Sequence, residues 1–482
     1  MTPLARVLVL TGVVTLIDVQ GGVIGQANHV LATETGKASI DAAVTANSSF
    51  AVDLYQRLTK QKENLGKNLF FSPYSLSAAL AMTAEGASGE TAGEMGKVLR
   101  FPEAARRIGA DAQLIPWNTT MIHTGMAELN ERLNSSNSGD HYEIRVANAL
   151  WGEKTYPFRQ SYVDSIHEFY KTGGVFSVDF LTNSEGTRRQ INNWTAERTK
   201  GRIQDVVSRN DISSDTRLVL ANAIFFKGEW ASKFKSVQTR NGGFTLVNGS
   251  KESVPMMSQE RVSTTSYAAF NADGSFFNTP RYLFGKEKED QLYPGEGGFT
   301  MLEMPYKGNE LAWVAVMPRK AGGLRDIDKK LTAENLRKWM TKLESRPVNA
   351  ALPKLRLQRS YSLDETLKSL GMRRAFANPG IEREGAQFDG MCASEDPRQK
   401  LYITAVLHKA FLEVNEEGSE AAAASAVIMV PAAPAGGGGG GGGGELRLFI
   451  PDFRADKPFI FLIRDVKTST ILFLGRMMNP KA

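Results

Sequence analysis

The sequence predicts one large α+β domain, on three observations. Segments with helical spacing crowd the N-terminal half of the 482 residues, and strand-like runs crowd the C-terminal half. No internal repeat is present. No linker-like stretch interrupts the chain until nine consecutive glycines at 436–444. A chain of this length could hold two or three average domains, yet large mixed folds also reach it as one unit.

The N-terminus carries Arg6 as its only early charge, then the apolar run "VLVLTGVVTLI" and the small-residue stretch "GGVIGQA". This predicts a signal peptide over residues 1–27, with Gly25 and Ala27 meeting the small-x-small rule, and hence a secreted, extracellular protein with 28–482 as its domain. The run is too short to span a bilayer. Five Asn-x-Ser/Thr triplets, at Asn47, Asn118, Asn134, Asn193 and Asn248, are glycosylation candidates on that route. Cys392 is the only cysteine, so a sizeable core rather than a disulfide must hold the fold. A formal charge of +6 without any lysine-arginine block implies a solvated surface, and neither nucleic acid nor a membrane as partner.

Along the chain, "SSFAVDLYQRLTKQ" places Phe50, Leu54 and Leu58 on one helical face, with Asn47 or Ser48 as cap. Leu69 to Phe71 reads as a short buried strand, and Ser72-Pro73 opens a helix because proline is tolerated in the first turn. From Phe101 to Asp140 the pattern dissolves into polar sequence around one helix. "YEIRVANALWGE" is strand-like, "SYVDSIHEFYKT" and "RRQINNWTAERTKGRI" are helical. "TRLVLANAIFFKGEW" is apolar on both parities, so it belongs in the middle of a sheet. Arg261 to Gly298 is polar and glycine-dotted and reads as an insertion. "FTMLEMPYKGNELAWVAVMP" is a hairpin turning at Lys307-Gly308-Asn309. "LRDIDKKLTAENLRKWMTKL" supplies a helix, "ALPKLRLQRSYSLDETLKSLGM" a strand and a helix, and "TAVLHKAFLEVNEEG" a strand. "FIFLIRDVKTSTILFLG" gives two last strands around a polar turn.

The five histidines lie outside any catalytic or metal-binding motif, and His408 sits in an apolar strand as a buried, hydrogen-bonded residue would. There is no Gly-x-Ser-x-Gly elbow and no His-Glu-x-x-His. The nine glycines lack the lysine and helix that a phosphate loop needs. Glu416 and Glu417 are adjacent in an extended segment and point to opposite sides, so they cannot share a substrate. An enzyme is disfavoured, and no metal or other cofactor is expected.

"NLFFSPYSLSAALAM" with "EGASGET", "VANALW", "INNWTAERTKGRI", "LVLANAIFFKGEW", "VPMM", "LEMPYKG", "HKAFLEVNEEGSEAAAAS" and "FRADKPFIFLIRD…ILFLGRMMNP" together resemble a serpin, in order from about Ser48 to Pro480. The resemblance implies three β-sheets, eight or nine helices and an exposed reactive-centre loop, here 416–452 with the glycine-rich insertion 436–444. It also implies a suicide inhibitor: a serine protease forms an acyl-enzyme on the loop, which then inserts as a central strand of the largest sheet and distorts the protease. Insertion demands small side chains in the hinge, which comprises Glu416, Glu417, Gly418, Ser419, Glu420, Ala421, Ala422, Ala423, Ala424 and Ser425. The alanines alone would favour a helix. Small volume in a close-packed sheet favours an inhibitor over a non-inhibitory binding, carrier or storage member. By the same resemblance Ser72, Ser75, Asn222 and His408 form a polar cluster where the sheet opens, and Trp194, Lys354 and Glu416 a group at its top, with Lys354 and Glu416 as an ion pair.

Counting from Gly418 by the family's spacing puts the reactive bond at Ala432-Ala433, and a small apolar residue there suits an elastase-like protease. The prolines at 431 and 434 disfavour the neighbouring bonds. Counting backward from "FRADKPF" reaches Glu445 to Arg447 instead, which would make the target trypsin-like through Arg447. An inserting strand would then be far too long. The glycines lie after the first of these bonds and are expected to loosen the bait's presentation. The protein is expected to be a monomer, with Arg106 and Arg107 the only hint of weak polysaccharide binding.

Overall fold

The computed structural model describes residues 8–10, 13–15, 25–108, 110–113, 115–136, 141–170, 173–284, 288–392, 394, 396, 399–419 and 446–481. Three main sheets and ten α-helices are found among them, with two further two-stranded pairs. The expected mixed architecture of three sheets therefore holds. The expected insertion does not: within Arg261 to Gly298, Ser266–Phe270 is a buried strand of the largest sheet and Phe276–Phe277 pairs with it, and only the residues after Phe277 form an excursion.

Eight strands form that largest sheet, running in order Phe276–Phe277, Ser266–Phe270, Phe299–Pro305, Leu311–Pro318, Phe459–Asp465, Ile471–Met477 and Leu69–Phe71, with Glu344–Ser345 beside Ser266–Phe270. The hairpin at its centre turns through Gly308 and Asn309, both at positive φ (90° and 58°). Four strands, Asp452–Arg454, Val348–Pro353, Lys251–Val262 and Arg240–Thr245, make a second sheet.

The third sheet, of six strands, positions the site, so the expectation that placed it in the largest sheet does not hold. Its order is Leu355–Ser362, Ala405–Val414, Leu218–Glu229, Tyr142–Glu153 and Gly173–Val178, with the two-residue strand Gly418–Ser419 wedged between the second and third. Leu218–Glu229 is buried over nearly its whole length, as a run apolar on both parities must be when both sheet faces are covered. The main core covers one face, through helix Pro73–Glu85. Helix Phe180–Arg198 covers the other, burying Trp151, Ile191, Val219 and Leu407. Ser72 caps the first of these helices, its Oγ accepting from the Ser75 N–H (3.1 Å) with Pro73 in the first turn, as the sequence predicts.

The first helix corrects two readings. It runs from Gly25 to Leu58, so neither Asn47 nor Ser48 is its cap. Asn47 is fully buried; its Nδ2 donates to the Ile471 carbonyl (2.9 Å) and its Oδ1 accepts from Ser77 (3.2 Å), which leaves no room for a glycan. Asn118, Asn193 and Asn248 are exposed, and the side chain of Asn134 is outside the described residues. No helix among the described residues is long and apolar enough to cross a membrane.

Candidate functional site

The site is the seam between strands Ala405–Val414 and Leu218–Glu229. Over seven residue pairs, from Ala405↔Val219 to Phe411↔Phe225, the two strands run parallel and hydrogen-bond directly. Above Phe411 they part. The chain leaves Val414, reverses through Asn415, Glu416 and Glu417, and re-enters as Gly418 and Ser419, antiparallel to both walls. Two hydrogen bonds between Asn415 and Gly418 close the reversal.

Glycine at 418 is required twice over. Its φ of 151° lies where side chains are rarely accommodated, and a Cβ there would fall 2.0 Å from the Gly228 carbonyl oxygen. Ser419 is fully buried, with its Oγ 2.6 Å from the Tyr306 hydroxyl.

Around this fold-back lies a charged and aromatic group. Lys354, at the junction of the second and third sheets, pairs with Glu416 (Nζ–Oε2 2.9 Å), and Thr239 donates to the same carboxylate (2.8 Å). Burial raises the Glu416 pKa, but the hydrogen bonds from Lys354 and Thr239 outweigh it and hold the carboxyl below its ordinary value. Lys233 pairs with Glu417 at 2.7 Å, which raises the pKa of the lysine. The indole of Trp230, stacked on Tyr306 at 4.8 Å, donates to the Asn415 carbonyl (3.0 Å), and the Trp230 N–H donates to that of Glu417 (2.8 Å).

Trp230, not Trp194, is thus the tryptophan at the top. Trp194 lies on helix Phe180–Arg198, edge-on to Trp151 and Phe176 at 5.6 Å, on the opposite face of the sheet. Its helical spacing fitted a buried face, but nothing in the sequence told which face of which sheet. Trp230 ends the motif "FFKGEW", one residue past its strand, where the chain turns toward the hinge.

Lower in the seam sits a neutral polar cluster. The Ser72 N–H donates to His408 Nε2 (3.1 Å), so the proton is on Nδ1, which donates to Asn222 Oδ1. Asn222 Nδ2 donates to Ser75 Oγ (2.6 Å) and to Asn148 Oδ1, which also accepts from Ser75 Oγ (2.9 Å). The Ser72 hydroxyl closes the cluster on the Leu472 carbonyl (2.6 Å). Burial pushes the His408 pKa down to about 3, so the ring is neutral. All four residues named from the sequence meet here. Asn148 was missed, although an asparagine inside "VANALW" is itself a signal, since a buried amide requires partners.

Of the hinge, Glu416 to Ser419 are described; Glu420 to Ser425, the bond Ala432-Ala433 and the glycines lie outside the described residues. Across the seam the arrangement can do one mechanical thing. It can admit a strand whose first two residues are already seated.

A family model described as "Serpin (serine protease inhibitor)" matches residues 45–480. The chain belongs to the serpin family. Human Serpin B3 is 35% identical over 438 residues, covering 90% of this chain and 98% of its own. Bovine leukocyte elastase inhibitor is 36% identical over 443 residues, covering 90% and 98%. Among solved structures, human thyroxine-binding globulin complexed with its hormone superposes with a TM-score of 0.69 at 27% identity, covering 92% of this chain and all of that one.

The serpin relatives overturn one expectation. Serpin B3, Serpin B4, Serpin B6 and leukocyte elastase inhibitor are clade B serpins, an intracellular group, so the secreted, extracellular placement is withdrawn. The glycosylation reading depended on that route. Members of the family are mostly inhibitors rather than catalysts, with serine proteases as their partners.

Proposed function

We propose that this serpin inhibits serine proteases as a suicide substrate, by driving its cut loop into the seam of the six-stranded sheet, with Ala432-Ala433 as the reactive bond and an elastase-like enzyme as target. The observation that carries the reading is the register of Ser419, which faces Val414 on one wall and Gly228 on the other.

Continuing that register residue by residue sets Ser425 opposite both His408 and Asn222. The hydrogen bond between these two must break as the walls separate, and the Ser425 hydroxyl arrives where it can replace it. Side chains alternate along a strand, so Ala421, Ala423 and Ser425 share the core-facing side of Ser419, and all are small enough for it. The same count brings residue 429 opposite Leu218, the last residue of its wall. Ala432 then lies just beyond the sheet's far edge, where a covalently attached protease would be pulled against the body of the inhibitor. Arg447 is eighteen positions past residue 429, and its backbone already pairs with Leu283, which disfavours the trypsin-like alternative.

The gain comes from exchanging one parallel ladder for two antiparallel ones, and parallel pairing is the weaker per residue. Reading residues 28–482 as one unit is supported by the family match over 45–480. The test is to mix the protein with leukocyte elastase, look for an SDS-stable complex and a cut after Ala432, and melt the loop-cleaved protein. A large rise in melting temperature is expected. Cleavage without complex or stabilisation would place the chain with non-inhibitory members.

A further inference from the structure

We propose that the two-stranded ribbon Tyr282–Phe284 with Leu446–Leu448 is a second docking surface for the protease held at the loop, on the side that follows the reactive bond; this rests on the inhibitor reading above. The register is Tyr282↔Leu448, Leu283↔Arg447 and Phe284↔Leu446. Directly opposed residues of an antiparallel pair share a face. Tyr282, Phe284, Leu446 and Leu448 therefore form one face, and their exposures are 54%, 70%, 62% and 44%. Leu283, on the reverse, is 4% exposed. Large apolar side chains gathered on one exposed face mark a surface that binds something.

The ribbon is held in place rather than trailing. The buried guanidinium of Arg346 donates to the carbonyls of Thr279 (3.3 Å) and Pro280 (2.8 Å), before one strand, and of Phe449 (3.0 Å), after the other. The Phe449 N–H adds a bond to the Arg281 carbonyl (3.0 Å). One side chain, in the link between Glu344–Ser345 of the largest sheet and Val348–Pro353 of the second, thus ties both strands to the body of the fold, and the apolar face is presented at a fixed position at the base of the loop.

Reach and area identify the occupant. Leu446 follows Ala433 by thirteen positions, nine of them glycine. A glycine-rich chain of that length spans roughly 20 Å. A protease of about 230 residues has a radius of gyration of roughly 17 Å, so an enzyme seated on Ala432 lies within reach of the ribbon. The face offers on the order of 400 Å². A self-standing interface uses about 800 Å² per partner, so a second copy of this chain would not be held by it alone. For a partner already tethered through the bait, a small second contact is enough to matter, because its effective concentration is high. The protease surface it fits is an apolar one bordering the part of the cleft that receives residues after the cut.

The experiment compares the unaltered protein with a Tyr282→Ser, Leu448→Ser double variant and, as a gentler change, Leu448→Ser alone. All are read against active leukocyte elastase and against elastase whose catalytic serine is alanine. We expect the affinity for the inactive enzyme and the rate of covalent complex formation to fall about tenfold in the double variant and less in the single one, with melting temperature and stoichiometry of inhibition unchanged. Equal rates and affinities across all three proteins overturn the docking surface and leave the inhibitor reading standing. Loss of self-association on substitution, with protease binding unchanged, gives the face to a second copy and overturns it too. If the unaltered protein forms no SDS-stable complex, the inhibitor reading and the docking surface fall together.

Discussion

Two polar clusters guard one seam, and they are built on opposite principles. The lower one, Ser72, Ser75, Asn148, Asn222 and His408, is buried, uncharged and mutually hydrogen-bonded. The upper one, Glu416 with Lys354 and Glu417 with Lys233, is charged and partly open to water. A buried donor or acceptor left without a partner costs about 1–3 kcal/mol, whereas an ion pair near the surface is worth about 0–1 kcal/mol. The obstacle to opening the sheet therefore sits at the neutral cluster, and the charged one steers the hinge without locking it.

The largest test of this contrast is acid. His408 has an ordinary value of 6.5 and is held at about 3 in the folded state. Between those values the unfolded chain binds a proton that the folded chain refuses, so the contribution of His408 is complete above pH 6.5 and is lost as pH falls toward 3. The whole loss is on the order of 4–5 kcal/mol. Glu416, held below an ordinary value of 4.5, loses its contribution only at lower pH. Urea melts from pH 7 to 4.5 should show stability falling in the unaltered protein and a flatter profile in His408→Gln. Parallel profiles would remove His408 from its role.

The next test moves to the mouth of the seam. Gly418→Val places side-chain atoms against the Gly228 carbonyl and forces an unfavourable φ, costs that together amount to roughly 2–4 kcal/mol. On the proposed insertion Gly418 opens the inserting strand, so the cost falls on the seated hinge. We expect the variant to be cut by elastase as an ordinary substrate, with at least a tenfold rise in stoichiometry of inhibition. An unchanged stoichiometry would show that the hinge enters by another path.

The same contrast explains what could be read in advance. The start of the hinge and most of the neutral cluster were legible because both depend on residue size and type: Gly418 and Ser419 must be small, and Ser72, Ser75, Asn222 and His408 are polar residues set in apolar segments. Lys354 and Glu416 were legible as opposite charges that the family motif brings together. Which side chain faces which layer was not. Trp194 follows the polar run "RRQINN" and Trp230 ends the apolar segment "AIFFKGEW", but only the packing of helix Phe180–Arg198 across the back of the sheet shows which of them reaches the top of the seam. Asn47 shows the same limit, since a glycosylation triplet and a buried helix asparagine have identical local sequence. The excursion after Phe277 was seen as polar sequence, but its pairing with residues just past the glycines, about 160 positions along the chain, is a long-range contact that no local pattern encodes.

Glu416→Gln is expected to have the smallest effect. The amide keeps a hydrogen-bond acceptor for Thr239 and for Lys354, and removes only the charge. Lys354 is 41% exposed and can be rehydrated where it stands, so the stability lost should stay below about 1 kcal/mol and shrink further in high salt. Its consequence should be kinetic: with the charge gone, the fold-back is held to the junction of two sheets by hydrogen bonds alone. The rate of complex formation should then change two- to threefold, measured at low salt, and the difference should disappear in 1 M salt. A loss of several kcal/mol would mean that the charged cluster, not the neutral one, holds the seam shut.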